Sequence, residues 1–122
     1  MSAERPVIYG DGEQSRDFTY IDNVVYANLN AASSPGASGK VINVANGERI
    51  TLNQLLHELK ELTGNQHVTA EYLEPRVGDV RHSLADVTMA RELLGYESKV
   101  DLREGLQRTI DWWKQSRFAM EP

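Results

Sequence analysis

A chain of 122 residues with 40% hydrophobic residues is long enough for one domain, residues 1–122, with a single core that buries roughly two-thirds of its unfolded surface. A net charge of -5, from 13 basic and 18 acidic residues, excludes nucleic-acid binding through a broad basic face and leaves room only for local basic pockets. Cysteine is absent, which excludes disulfides and thiolate chemistry and permits a reducing cytoplasm. His57, His67 and His82 lack any H-x-x-x-H spacing and read as surface histidines, so no metal is expected. No apolar run approaches transmembrane length, and Met1 to Pro6 has no signal-peptide core. The expectation is a soluble, cytoplasmic protein with neither a nucleic acid nor a membrane as partner.

Along the chain, Pro6-Val7-Ile8-Tyr9 predicts a short strand closed by the turn residues Gly10-Asp11-Gly12. Val25, Leu29 and Ala32 at helical spacing predict a helix from Asp22, its N-cap, to about Ala32. Lys40 to Ala45, β-branched and bounded by Gly39 and Asn46-Gly47, predicts a buried strand. The clearest helix follows, with a Thr51/Gln54 capping box, a stripe of Leu52, Leu55, Leu56, Leu59 and Leu62, and Gly64 as its stop.

Val68 to Leu73 predicts a further strand, and the loop from Glu74 to Ser83 carries Arg76 and Asp79. Asp86 is placed to cap a short helix stopped by Gly95. Asp101 and Glu104 open a last helix on whose inner face lie Leu102, Leu106, Ile110 and Trp113. Gly105 inside it costs about 1 kcal/mol relative to alanine, which predicts close packing there, and Trp112 and Trp113 read as core and rim packing. The fold class is a small mixed α/β (α+β) domain, with few strands and exposed sheet edges.

Two loops carry the candidate chemistry. Arg16, in Ser15-Arg16-Asp17-Phe18, and Arg76, in Pro75-Arg76-Val77-Gly78-Asp79, each place a guanidinium beside a carboxylate. The planar fork of arginine suits a diphosphate, donating two parallel hydrogen bonds and staying charged. Asp79 follows Gly78, where the backbone can approach a ligand while the carboxylate accepts from ribose hydroxyls. The plain alternative is that Arg16 pairs with Asp17 or Asp22 and Arg76 with Asp79, as ordinary surface ion pairs, and that Asp79 is a turn aspartate. Gly10-Asp11-Gly12 is no dinucleotide fingerprint, because Ser15 stands where the third glycine belongs and no apolar-faced helix begins there.

Val7 to Gly12, Arg16 to Asp22, Val41-Ile42-Asn43-Val44, Arg76 to Val80, Ser83 to Asp86, Leu94-Gly95-Tyr96 and Glu104-Gly105-Leu106 together resemble the C-terminal part of extended short-chain dehydrogenase/reductases. The nearest likeness is to the NAD-dependent nucleotide-sugar epimerases and dehydratases of the UDP-glucose 4-epimerase type. The resemblance implies that Arg16 and Arg76 contact a nucleotide diphosphate, that Asp79 contacts the ribose and that Tyr9 lines the base pocket. Asn23 stands where a second aspartate is frequent, and Val77 where proline is frequent.

The family's catalytic Tyr-x-x-x-Lys pair is absent, since the residue four positions after each tyrosine is Glu13, Val24, Asn30, Arg76 or Val100. The resemblance therefore implies the substrate-binding portion of an epimerase or dehydratase, without the Rossmann half: no catalytic residue, no cofactor bound by this chain alone, NAD for the complete enzyme and a UDP-hexose as its nucleotide sugar. The rival reading is a standalone binding or self-assembly module. In complete members the segment resembling Val41 to Ala45 joins the nucleotide-binding sheet, so a homodimer formed by strand pairing or exchange is a further expectation.

Overall fold

The computed structural model describes residues 4–118, with side chains to Ser116; Met1 to Ala3, read above as part of a stretch without a signal-peptide core, lie outside the described residues. The elements in chain order are β1 (Val7–Tyr9), β2 (Ser15–Arg16), α1 (Ile21–Ser33), a 3-10 turn (Pro35–Ala37), β3 (Ile50–Thr51), α2 (Leu52–Thr63), β4 (Glu71–Leu73), α3 (Thr88–Leu94) and α4 (Leu102–Phe118). They fall into two compact units, residues 1–17 with 48–84 and residues 18–47 with 85–122.

In the first unit β1 and β4 run parallel, with Val7 opposite Glu71 and Tyr9 opposite Leu73. The pairing is extended at both ends, by Glu71 N–H donating to Pro6 O at 2.9 Å and Gly10 N–H to Leu73 O at 2.9 Å. β2 pairs antiparallel with β3 and is bridged on its other side by residues 81–83, through Ser15 N–H to Arg81 O at 2.9 Å and Ser83 N–H to Ser15 O at 3.0 Å. Sequence periodicity does not reveal the β2–β3 pair, because two-residue strands are too short to alternate.

α2 follows its sequence closely. Thr51 N–H donates to Gln54 Oε1 at 2.8 Å and Gln54 N–H to Thr51 Oγ1 at 3.1 Å, which is the reciprocal capping box. Gly64 closes the helix at φ +70°, a conformation that glycine adopts without steric cost. No residue of α2 is fully buried, and its leucine stripe is half-exposed.

The second unit is helical, and its core joins Ala27 of α1, Ala90 and Leu94 of α3, and Tyr96. The Tyr96 hydroxyl, 1% exposed, donates to Ala45 O at 2.9 Å. Beneath the entry to α1 lies Asn23, also 1% exposed. Its Oδ1 accepts from Lys99 N–H at 3.0 Å and Val100 N–H at 3.1 Å, and its Nδ2 donates to Val100 O at 2.8 Å and Ser98 Oγ at 3.0 Å. Asparagine is suited to this position because an ionised aspartate could accept but not donate to Val100 O. The expected close packing at Gly105 is present: a Cβ there would lie 2.9 Å from Tyr20 Cβ.

Several expectations are corrected. Lys40 to Ala45 is not a strand: Ile42 and Val44 pack on the core and Val41 is 92% exposed, but the segment has no hydrogen-bonded ladder. A strand is a property of a pair, and β-branched composition alone supplies no partner. α1 begins at Ile21 with Tyr20 in the N-cap position and Asp22 in its first turn, where a carboxylate favours the helix dipole without capping. β4 is shorter than Val68 to Leu73, and Val87, not Asp86, precedes α3, although the Asp86 carboxylate still accepts from Thr88 N–H at 2.9 Å. Trp112 is 65% exposed and Trp113 38%, so neither belongs to the core.

Candidate functional site

A cleft of about 590 Å³ opens in the first unit between the end of β1 and the loop that follows β4. Two backbone features build it. The β1–β4 ladder ends with Gly10 bonded to Leu73, so the turn after β1 and the loop after β4 leave the sheet side by side. Gly10 holds φ +90°, turning the chain where a side chain would be strained.

All four residues singled out in the sequence come together in this unit. Tyr9, the last residue of β1, Arg76 and Asp79 line the cleft. The Arg76 guanidinium lies over the Tyr9 ring, 4.0 Å from its centroid, in cation–π contact. Arg16, on β2, donates to Asp79 Oδ1 at 2.5 Å and to Ser15 O at 2.8 Å. The plain alternative is thus half right: ion pairing is present but across the fold, Arg16 with Asp79, whereas Arg76 forms no ion pair among the described residues. Chain neighbours lose this competition because β2 is bridged to residues 81–83, which brings the Asp79 loop to Arg16.

The cleft also contains groups that sequence reasoning missed. Arg81 donates through both terminal nitrogens to Asp11, at 2.8 and 2.9 Å. Asp11 also accepts from Glu13 N–H at 2.9 Å. The Arg81 guanidinium first, and the Glu13 N–H second, hold the Asp11 carboxyl below the usual carboxylate range. Gln14 is 7% exposed; its Nε2 donates to Tyr9 O at 2.5 Å, while its Oε1 has no hydrogen-bond partner among the described residues. The available signal was the count of arginines in one loop, Arg76 and Arg81, with the Gly10–Gly12 turn supplying an acid. Ser15 Oγ lies 2.8 Å from His82 Nδ1, with Ser15 1% exposed and occupied in the β2 bridging, which makes the contact structural.

Chemically the cleft offers an aromatic face, one guanidinium without an ion pair among the described residues, a second held by a carboxylate, and an aspartate already engaged by a third arginine. Such a surface can hold an anion bearing a planar group. Among the described residues no group of three or more His, Asp or Glu is placed to hold a metal ion, and no helix is long and apolar enough to cross a membrane.

Comparison with known proteins bears on what this surface is. The family model described as GDP-mannose 4,6 dehydratase matches residues 1–109. The UDP-glucuronate 4-epimerase of Thermodesulfobacterium geofontis is 37% identical over 115 residues, covering 93% of this chain and 35% of that protein. Among solved structures, the UDP-glucose 4-epimerase of Thermotoga maritima, determined with UDP-glucose, is 44% identical with a TM-score of 0.87, covering 93% of this chain and 36% of that one. The UDP-glucuronic acid 4-epimerase of Bacillus cereus, in complex with UDP-glucuronic acid and NAD, is 33% identical with a TM-score of 0.83 and covers 91% and 36% respectively. The chain spans about a third of the length of the relatives it matches. On these grounds it belongs to the GDP-mannose 4,6 dehydratase family, as a C-terminal portion of the extended short-chain dehydrogenase/reductase epimerases and dehydratases.

Proposed function

We propose that the cleft binds the nucleoside diphosphate of a nucleotide sugar, a UDP-hexose first, as the substrate-binding portion of a cytoplasmic NAD-dependent epimerase or dehydratase. The observation that carries this reading is Arg76, a charged fork without an ion-pair partner among the described residues, lying against Tyr9 in a cleft that also holds Asp79 and Arg81. Arg76 grips the diphosphate, and Arg16 adds to it from β2. Asp79 accepts from the ribose hydroxyls, and Tyr9 provides the face against which the base packs.

The pairing of Arg16 with Asp79 costs this site some affinity, since each is the other's partner before the ligand arrives. Two arginines supply roughly 3 to 6 kcal/mol as charge-assisted hydrogen bonds, against an association cost of at least about 4 kcal/mol. Base packing adds the rest, so the expected dissociation constant is roughly 0.1 to 10 mM.

NAD supplies hydride transfer in the complete family enzymes, and the residues of this chain do not fit it. β1 is followed by a turn and β2 rather than by a helix, and Gly12 faces Asn53, whose Oδ1 would lie 2.1 Å from a Cβ at that position. The space that a phosphate-binding glycine keeps open for its ligand is filled here by a side chain. In this reading the polypeptide holds and orients the substrate, and the redox step of the complete family enzymes rests on features that these 122 residues do not carry.

NMR titration with UDP, dTDP, GDP and NAD tests the reading, with Arg16→Ala and Arg76→Ala as comparisons. The expected result is saturable shifts with one nucleoside diphosphate, weakened by both substitutions and absent with NAD. No shift with any diphosphate at millimolar concentration would sink it.

A second reading, a standalone self-assembling module, is favoured by the segment from Val41 to Val44, which has β-branched composition, 92% exposure at Val41 and no ladder partner. Pairing of this segment between two copies would supply the ladder, and sedimentation showing a monomer at high concentration counts against it.

A further inference from the structure

Arg81 is the second guanidinium that lines the cleft, and its position is fixed at both ends. Its carbonyl accepts from Ser15 N–H at 2.9 Å, tying its backbone to β2, and its two terminal nitrogens reach Asp11 Oδ1 and Oδ2 at 2.8 and 2.9 Å. Asp11 is in turn held by the Glu13 N–H. Both side chains of the pair are 56% exposed, so the pair is worth little in isolation. A phosphate presents the same two-oxygen edge to a guanidinium as a carboxylate does, and carries more charge.

Resting on the proposed diphosphate site, we propose that Arg81 is a third phosphate-binding arginine and that Asp11 sets the affinity of the cleft by competing with the phosphate for it. The cleft lining carries three acids, Asp11, Glu74 and Asp79, against two arginines, Arg76 and Arg81. With Asp11 on Arg81, only the Arg76 fork meets an incoming diphosphate without first breaking an ion pair. Release of Arg81 from Asp11 provides the second fork that a diphosphate, with its two phosphoryl groups, can use. Asp11 then also repels the bound anion unless its charge is removed.

Asp11→Asn is the variant of choice because Asn keeps an oxygen for the Glu13 N–H and removes only the charge that holds Arg81. The expected result is UDP binding tightened roughly two- to fivefold in Asp11→Asn, a modest ratio because the ion pair it removes is exposed. Arg81→Met weakens UDP roughly tenfold, Arg81→Lys falls between, and in the Arg81→Met background Asp11→Asn loses most of its effect. Uridine, which lacks phosphate, binds Asp11→Asn and the unaltered protein equally.

If UDP binds and Arg76→Ala weakens it while Asp11→Asn and both Arg81 variants leave it unchanged, the competition is disproved and the diphosphate site stands. Undiminished tightening by Asp11→Asn in the Arg81→Met background, or equal tightening of uridine, also overturns it, since simple repulsion or a base contact would then explain the gain. Failure of UDP to bind the unaltered protein and Asp11→Asn alike overturns the diphosphate site itself. Should Arg81→Met not fold, the Arg81→Lys and uridine comparisons decide alone.

Discussion

In the unit formed by residues 18–47 and 85–122, the amide of Asn23 is buried and paired on both its oxygen and its nitrogen; in that formed by residues 1–17 and 48–84, charged groups stand half-exposed around a cleft and pair with one another. Asn23, at 1% exposure, satisfies two backbone N–H groups and one carbonyl of the 99–100 segment. Arg16–Asp79 and Arg81–Asp11 have side-chain exposures of 30 to 56%. The difference is one of desolvation: buried groups forfeit water and must keep their protein partners, whereas exposed charges exchange partners at small cost. Asn23 therefore holds contacts that it cannot give up cheaply, whereas the ion pairs around the cleft can be exchanged at small cost.

The largest effect that sharpens this contrast is expected at Asn23. Asn23→Leu leaves the Lys99 and Val100 N–H groups unpaired and removes one of the two donors to Val100 O, and costs about 3 kcal/mol in urea unfolding. Asn23→Asp restores both acceptor contacts but not the Nδ2 donation to Val100 O, and falls between at about 1 to 2 kcal/mol. A loss of less than about 0.5 kcal/mol for the leucine variant would mean that the contrast is not energetic.

A smaller effect is expected at Gly105. Alanine there gains about 1 kcal/mol of helix propensity but places Cβ 2.9 Å from Tyr20 Cβ, an overpacking worth roughly 1 to 3 kcal/mol. Net destabilisation of about 1 kcal/mol is expected, and net stabilisation would show that Tyr20 moves aside freely.

The smallest effects belong to the cleft. Asp79→Ala, which frees Arg16, is expected to shift unfolding by less than about 1 kcal/mol. Acid should act in the same direction. The carboxyl of Asp11 is lowered by Arg81 and the Glu13 N–H, and that of Asp86 by the Thr88 hydroxyl and N–H. Each contributes stability that is present above the ordinary carboxylate range and is lost as pH falls through the lowered value. Unfolding midpoints should therefore stay level from neutral pH down to that range and decline below it; a rise on acidification would reverse the sign.

Legibility differed in the same way between elements. α2 was readable to the residue because its determinants are local: Thr51 and Gln54 bond each other's backbone, and Gly64 is where a left-handed turn is needed. Gly105 announced its close contact by being an unfavourable residue in a helix. The Lys40–Ala45 segment is misleading because its composition reports how well it would fit a sheet, not whether a neighbouring strand exists. The four proposed ligand contacts are legible through motif resemblance, whereas Asp11, Gln14 and Arg81 are not, because no local pattern distinguishes them from turn and surface residues.

By itself the sequence determined the presence of the four helices, the glycine stops at Gly64 and Gly95, and the absence of a dinucleotide fingerprint and of the Tyr-x-x-x-Lys pair, since each of these is written in residues a few positions apart, and it pointed to the family through motifs spread along the whole chain. Only the tertiary structure decided who pairs with whom. Arg16 passes over Asp17 for Asp79, Arg81 crosses to Asp11, and Arg76 is left to lie on Tyr9. The partners of a long, flexible guanidinium are fixed by which backbone segments are bridged, and the ladders that bring β4 to β1 and residues 81–83 to β2 join residues more than 60 positions apart.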